Sequence, residues 1–587
     1  MTKEKSECFE IVENRKDVRD IVTTFVVEVP VKDHKHPEII DAKNKEVENL
    51  RDFDTFDEVV DEGQKKIGSR WVITKKESHD GQKTDYKARI VARGFQEEEK
   101  PQSDSPTAMR ESIKIFLAVA ANEELEIEAI DIKAAFLQSK VLDREVFVEP
   151  PKDLKQENTI WKLKKPLYGL DDASRKFWIR IKEILEGIQM KTIPGDEAFY
   201  YRHGNGKLEG MILTHVDDFQ IAGTEKFLKE IRDELKTKLK VSKVERGKFR
   251  FTGVDIEKTA KGITISMEDY ADSFEKMEEI RKASNDEPLT RTEFKVYRKF
   301  TGKISWLAAN TRPDLAITAL EMSKKNSSAT IGDLKNLNRV VEKIKSQPSR
   351  VEFTKIGRKE DLMIHGLTDA SYKSDSKSIS GIIIMLGNIK NKKTVPIYWK
   401  SRVITKVCHS AKAAETRSMT ALLDNIQFFA GQLEIILFGG RPVKFPIKVY
   451  TDSKPLLETI GSTHKVEEKL LRNCITDMKD VLYSGKINSY SWLDGRDMVA
   501  DVLTKEAKPN DDLKDITIGN RFRKAFAEDN IVKCVEGEIK LLNPRNKSVQ
   551  FEMENKSVQF LPKSANKVMH ESNGATSDDR AWPGPLV

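Results

Sequence analysis

"MILTHVDDFQIAG", residues 211–223, sets two adjacent aspartates, Asp217 and Asp218, inside an otherwise apolar run. Burying two like charges side by side is costly unless something offsets them. The plain reading is a β-hairpin with Asp-Asp at its turn, Met211 to Val216 and Phe219 to Ala222 as strands, and Gly210 and Gly223 as brackets. In the other reading the carboxylates hold a divalent cation, which prefers hard oxygen ligands and removes the repulsion. On this stretch alone the plain hairpin is the simpler account. A second candidate carboxylate, Asp131, ends another apolar strand in "AIDIKAAFL". A strand-end aspartate beside a hairpin Asp-Asp would gather three carboxylates at one sheet edge. Two metal ions about 3.5–4 Å apart need such a cluster for in-line phosphoryl transfer.

The rest of the composition bounds the answer. At 587 residues the chain exceeds what one core supports, which predicts three or more domains. Charged residues at 34% and hydrophobic ones at 38% fit a soluble protein with a charged surface. Lys plus Arg exceed Asp plus Glu by 102 to 95, a net of +7, so a polyanionic partner requires locally concentrated positive charge. Cys8, Cys408, Cys474 and Cys534 lie far apart without CxxC or CxxxH spacing, which excludes a zinc knuckle and argues against a disulfide framework. "MTKEKSECFEIVENRKD" has no apolar signal core, and no apolar run of about 18 residues is evident. The expectation is an intracellular, cytoplasmic or nuclear protein with no membrane partner.

Pattern then divides the chain. Residues 1–48 are charge-rich with little periodicity and predict a flexible segment. "SRWVITKKE" and "DYKARIVARGF" alternate as two strands around a turn at His79-Asp80-Gly81. "RESIKIFLAVAANEEL" (110–125) and "RKFWIRIKEILEGI" carry helical spacing, and basic helices with short strands fill 225–350. From about Glu360, strands, a helix and a strand–helix pair predict an α/β unit of 360–507. After it comes a polar tail, 508–587, in which "NKSVQF" occurs twice (546–551 and 555–560).

Eleven blocks then fall in one order: "RWVITKKESHDGQKTDYKARIVARGFQ", "AIDIKAAFL", "WKLKKPLYGLDDASRKFW", "THVDDFQIAG", "FTGVDIE", "KISWLAANTRPDLA", "LTDASYKSD", "YWKSR", "SAKAAET", "YTDSK" and "MVADVLTK". Over residues 50–507 the chain resembles the reverse transcriptase and ribonuclease H portion of copia-type LTR retrotransposon Pol polyproteins. The resemblance implies an α+β and α/β multidomain fold. A right-hand polymerase, with fingers and palm at 49–257 and thumb or connection at 258–359, would precede a ribonuclease H-like domain. It implies RNA-directed DNA synthesis and RNA digestion with two Mg²⁺ (or Mn²⁺) ions per site. The implied partners are RNA template, DNA primer and product, RNA–DNA hybrid and deoxynucleoside triphosphates, inside a virus-like particle if the element is live; a homodimer is left open.

Residue by residue, the resemblance makes Asp131 and Asp217 the holders of the polymerase metals and Asp218 the less direct carboxylate. Lys87 and Arg89 would meet the triphosphate, Phe136 would gate the sugar, and Tyr168 and Gly169 would lie under the nucleotide. Lys165 and Arg175 would contact backbone phosphate, while His215 and Gly253, in the "TGVDI" hairpin, would lie by the primer. Asp369, Glu415, Asp452 and Asp501 would hold the ribonuclease H metals. Without the family, Phe136 would read as core and Lys87 and Arg89 as solvated charges.

The chain also departs from the family. His215 stands where tyrosine is usual, Asp171, Asp172 and Ser174 replace three residues of Lys-Gln-Ala-Pro, and Ala411-Lys412-Ala413 replace Ser-Thr-Glu-like positions. Two aspartates near phosphate are expected to oppose binding by repulsion. The rival reading is therefore a decayed relic that binds nucleic acid without catalysis.

Overall fold

The computed structural model describes residues 27–77, 84–374, 377–441, 444–464, 466, 468–506, 511–520, 522 and 529–542. The His79-Asp80-Gly81 turn and both "NKSVQF" copies lie outside the described residues.

Ile39, Ala42, Glu46 and Leu50 recur every three or four residues, and helix α1 (Pro37–Asp52) buries that stripe. It shares a core with strands β1 (Lys66–Glu77) and β2 (Thr84–Ala92), which pair antiparallel from Ser69↔Ala92 to Glu77↔Thr84. The expected flexible segment 1–48 is corrected here, since residues 37–48 are helical; the stripe is short and hidden among charges. Strands Val27–Glu28, Phe56–Val60, Phe147–Glu149 and Thr159–Leu163 complete this first sheet.

A second, wholly antiparallel sheet carries the aspartates. Helix α2 (Arg110–Asn122) is buried along most of its length and leads into β3 (Glu126–Ile132). Helix α3 (Ala173–Gly187) follows, then β4 (Lys207–His215), β5 (Asp218–Gly223) and β6 (Val241–Arg246). The order across the sheet is β6-β3-β5-β4, then Asp196–Gly204 and Lys191–Ile193.

Strands β7 (Lys248–Phe251), β8 (Val254–Thr259), β9 (Gly262–Ser266) and β10 (Arg350–Thr354) form a third antiparallel sheet. Between β9 and β10 lie α4 (Arg291–Asn310), opened by a Thr290–Glu293 capping box, and α5 (Ala316–Lys324) and α6 (Ile331–Lys345). The expected boundary at 257/258 cuts through paired strands, because β8 and β9 are one hairpin (Thr259↔Gly262).

The last sheet contains β11 (Leu362–Ser371), β12 (Ile379–Asn388), β13 (Thr394–Val403), β14 (Ile447–Thr451) and β15 (Ser489–Trp492). Its order is β13-β12-β11-β14-β15, antiparallel through β11 and parallel from β11 to β15, with helix α7 (Ala411–Phe438) between β13 and β14. This is the mixed α/β unit that the sequence predicts. By length and mean composition α7 is apolar enough to cross a membrane, although Asp424, Asn425 and Glu434 break its apolar run. In this fold α7 is a core helix, with Leu422, Ile426, Leu433 and Ile436 fully buried. The tail expected to be flexible is also corrected in part: Asp511–Thr517 is helical, and β16 (Asp529–Val535) and β17 (Glu538–Leu542) extend the sheet beyond β15. One apolar cluster runs from α2 and β3 through α4–α6 to β11–β15.

Candidate functional site

The antiparallel ladder sets Asp131 of β3 opposite Asp218 of β5, while His215 of β4 pairs with Asp218 on its other side. Directly opposed residues share a face, so Asp131 and Asp218 stand together. The turn is Val216-Asp217, and the Ile132 N–H donates to the Asp217 carbonyl at 3.0 Å. Val216 has φ +59°, a left-handed conformation costly for a β-branched residue and typical of strained functional turns. The Ser242 hydroxyl of β6 donates to the Asp131 carboxylate and lies 3.0 Å from its carbonyl oxygen. Ser242 carried no signal in sequence. The stretch is thus a hairpin, with its turn one residue earlier than the plain reading placed it: Val216 leaves the strand and Asp218 enters it, opposite Asp131.

Tyr168 and Gly169 are clamped beside this edge. The Ala92 N–H donates to the Tyr168 carbonyl at 2.7 Å and the Gly94 N–H to the Gly169 carbonyl at 3.2 Å. Gly169 has φ +87°, and a Cβ there would sit 2.2 Å from the Ala92 carbonyl oxygen. Only glycine suits that approach. The Phe136 ring lies 5.4 Å from that of Tyr168, and the Arg89 guanidinium lies 5.8 Å from the Tyr168 ring. Burial, then the Glu46 charge, holds the Tyr168 phenol well above its usual range, with Arg89 opposing and Asp217 adding to the rise. Arg89, Phe136, Tyr168 and Asp217 therefore form one neighbourhood. Lys87, two residues before Arg89, is exposed on the same face of β2. Glu46 of α1 also belongs here: burial pushes its carboxyl up to about 7, against Arg89, the Ile90 N–H and Lys87.

Gly253 (φ +79°) and Thr252 (φ +46°) make the two-residue turn between β7 and β8. Phe251 of that hairpin meets the His215 ring edge-on at 6.4 Å, so it lies against the residue preceding the aspartate turn.

Four charges are engaged within the fold. The Lys165 ammonium donates to the Phe53 carbonyl and is pushed down by burial. Arg175 Nη1 donates to the carbonyl and carboxylate of Asp104, each at 2.9 Å. Asp172 is 1% exposed and takes two bonds from Arg144, at 2.6 and 3.1 Å, while Arg144 also grips Glu97 at 2.8 Å. Asp171 pairs with Lys100 at 3.3 Å. Each of these two aspartates thus has a cation of this chain beside it, the buried Asp172 fully and the half-exposed Asp171 at the surface, which offsets part of the repulsion expected of them.

The second carboxylate cluster is tighter. Oxygens of Asp369, Asp452 and Asp501 lie within 4.8 Å of one another. Parallel pairing of β11 and β14 brings Asp369 and Asp452 to one end of the sheet. Asp501 rides on the Val499–Leu503 turn, which approaches so closely that a Cβ on Gly381 would lie 2.7 Å from the Leu503 side chain. Glu415 of α7 accepts the Ala370 N–H at 2.9 Å. Burial, then Asp369 and Asp452, pushes Glu415 up to about 9. Burial, then Asp501, pushes Asp369 up to about 7, with Thr504 and Lys505 opposing. Lys505 stands 3.0 Å from Asp501 and 3.9 Å from Asp369. Beneath them Ser418 bridges Thr368 and Ser380, each at 2.5 Å. Ser380, Ser418, Thr504 and Lys505 were missed, since hydroxyls and a lone lysine are featureless until folding converges them. An all-oxygen, mutually repelling donor set fits a hard divalent cation.

Residues 53–288 match the family described as reverse transcriptase (RNA-dependent DNA polymerase). The chain is 27% identical over 468 residues to the "Retrovirus-related Pol polyprotein from transposon RE1" of Arabidopsis thaliana, covering 75% of this chain and 30% of that relative. It is 26% identical over 469 residues to the transposon RE2 Pol polyprotein of the same plant, covering 75% and 31%. The chain thus spans under a third of these relatives' length. A solved foamy viral protease-reverse transcriptase dRH, in complex with ds DNA, aligns at a TM-score of 0.48 and 14% identity, covering 84% of this chain and 74% of that one. Asp131, the Val216-Asp217 turn, Tyr168 and Arg89 all fall within residues 53–288, the span that matches the reverse transcriptase family.

Proposed function

We propose that this chain is the reverse transcriptase and ribonuclease H part of a copia-type retrotransposon Pol polyprotein. It extends a DNA primer on an RNA template with deoxynucleoside triphosphates and cuts the RNA of the resulting hybrid. The observation that carries the reading is the Asp131↔Asp218 ladder with Asp217 in the adjoining turn, beside Tyr168 and Arg89. Asp131, Asp217 and Asp218 would hold two Mg²⁺ ions, which when bound lower the barrier to attack by the primer 3′-OH and neutralise phosphate charge. Around them Arg89 and Lys87 offset the triphosphate's negative charge. The Gly169 backbone gives the nucleotide a surface without a side chain, and the Phe136 ring closes the space a ribose 2′-OH would need. The β7–β8 hairpin, packed on His215, supports the primer end.

In the second site Asp369, Glu415, Asp452 and Asp501 would hold the ions that serve hydrolysis. Lys505 moderates their mutual repulsion, and Thr504 orients Asp369. The relic reading leans on Asp171, Asp172 and His215; the ion pairs of the two aspartates weaken its first part, and His215 is left to the extension assay.

Purified protein with Mg²⁺ and a primed RNA template is expected to extend the primer, and Asp217→Asn to abolish extension. Asp369→Asn is expected to end hybrid cleavage while extension continues. Undiminished extension by the Asp217→Asn protein would overturn the assignment.

A further inference from the structure

We infer that Lys114 is the joint through which the polymerase sheet, the α4 helix and the β11–β15 unit behave as one rigid body. Lys114 lies on α2 and is 5% exposed. Its ammonium donates to the Ala309 carbonyl at 3.0 Å and stands 4.2 Å above the Trp399 ring of β13. Trp399 Nε1 in turn donates to the Ala308 carbonyl at 2.8 Å. Ala308 and Ala309 close the last turn of α4, where carbonyls lack helical partners and the helix dipole is negative. A cation is the group such an end favours, and an aromatic face is the apolar surface a cation tolerates. Three elements far apart in sequence therefore meet on one side chain.

The joint lies on the path between the two carboxylate clusters. Helix α2 leads directly into β3, which carries Asp131, while β13 pairs with β12 and β12 with β11, which carries Asp369. At the other end of α2, Asn122 Oδ1 accepts the N–H groups of Ile356 and Gly357, each at 3.1 Å, pinning the segment between β10 and β11. Lys373 beside β11 pairs with Glu321 of α5 at 3.3 Å. The apolar cluster crosses the junction without a break, but apolar packing tolerates small relative shifts of the parts and does not by itself fix one placement. Lys114 adds direction: its bonds are satisfied in one relative placement only, which packing of methyl groups does not enforce. Burial draws its ammonium down to about 7, with Glu111 opposing and Arg110 adding to the fall. The chain keeps a buried amine where an apolar residue of similar length would fit, and Lys114→Met is accordingly expected to fold.

Calorimetry of the full chain tests the joint without relying on activity. The wild type is expected to unfold in one transition spanning both units, and Lys114→Met to split it in two. A second arm rests on the proposed function. On a primed RNA template, wild-type RNA cuts are expected to cluster at one distance from the primer terminus. Lys114→Met should spread them over several nucleotides, with extension rate and cleavage of unprimed hybrid within about twofold of wild type. Two transitions in the wild type, or one transition and an unchanged cut distribution in Lys114→Met, would overturn the inference. A wild type that neither extends nor cuts would sink the functional reading instead, and the calorimetric result would still decide the joint.

Discussion

Replacing Glu415 by glutamine should make the metal-free protein more stable at alkaline pH while ending its hydrolytic chemistry. Glu415 rises from 4.5 to about 9 in the fold, so the folded state holds this proton far more tightly than the unfolded chain. Stability then falls as pH climbs from 4.5 towards 9, because the unfolded state ionises first. At about 1.36 kcal/mol per pH unit, the loss accumulated by pH 8.5 is about 5 kcal/mol. Glutamine never ionises and escapes that loss. Its amide keeps the Ala370 N–H acceptor, and an imperfectly paired NH₂ would return about 1–3 kcal/mol of the gain. A net advantage of about 2–4 kcal/mol over wild type is expected at pH 8.5 in EDTA, and less than half of that at pH 6. Mg²⁺ should reverse the ranking, since it binds the ionised cluster and so the wild type preferentially. Denaturant melts at the two pH values, with EDTA or Mg²⁺, read all four conditions. Equal stability of the two proteins at pH 8.5 in EDTA, or equal stabilisation of both by Mg²⁺, would refute the reasoning.

Asp172→Ala should destabilise the fold by about 1–3 kcal/mol, because it removes the more buried of the two carboxylates on Arg144 and leaves the guanidinium with Glu97 alone. Urea melts measure it, and Asp172→Ala should lose more than an Arg144→Met, Asp172→Leu double variant. Restoring the family's residues with Asp171→Lys and Asp172→Gln should not improve template affinity at low salt; a severalfold gain would show that the two carboxylates face phosphate after all. Gly169→Ala forces a Cβ to 2.2 Å from the Ala92 carbonyl oxygen at φ +87°, so the backbone must shift. Extension kinetics should show KM for the nucleotide rising at least tenfold, with hybrid cleavage unchanged.

Sequence by itself determined the local elements and the chemistry-bearing positions. Two-residue alternation in "SRWVITKKE" and "DYKARIVARGF" marks paired strands, because side chains on a strand change face at every step, and the short apolar run 211–223 bracketed by glycines marks a buried hairpin. Adjacent aspartates inside such a run stand out, since nothing local can offset them. Asp369, Asp452 and Asp501 were legible through ordered blocks, and the structure brings all three to one sheet end. Helix α1 and the β16–β17 hairpin were not legible, because their apolar positions are few and their burial comes from partners elsewhere in the chain. Only the tertiary structure decided which charges are used up inside the fold. Arg144 and Asp172 lie 28 positions apart, Ser242 and Asp131 lie 111 apart, and Lys114 and Ala309 lie 195 apart. Ion pairs and hydrogen bonds depend on distances of a few ångströms, and local pattern carries no information about which distant residue will arrive there. Lys165, Arg175, Asp171 and Asp172 look alike in sequence as charges near a site, and folding alone pairs each one with a group inside the chain.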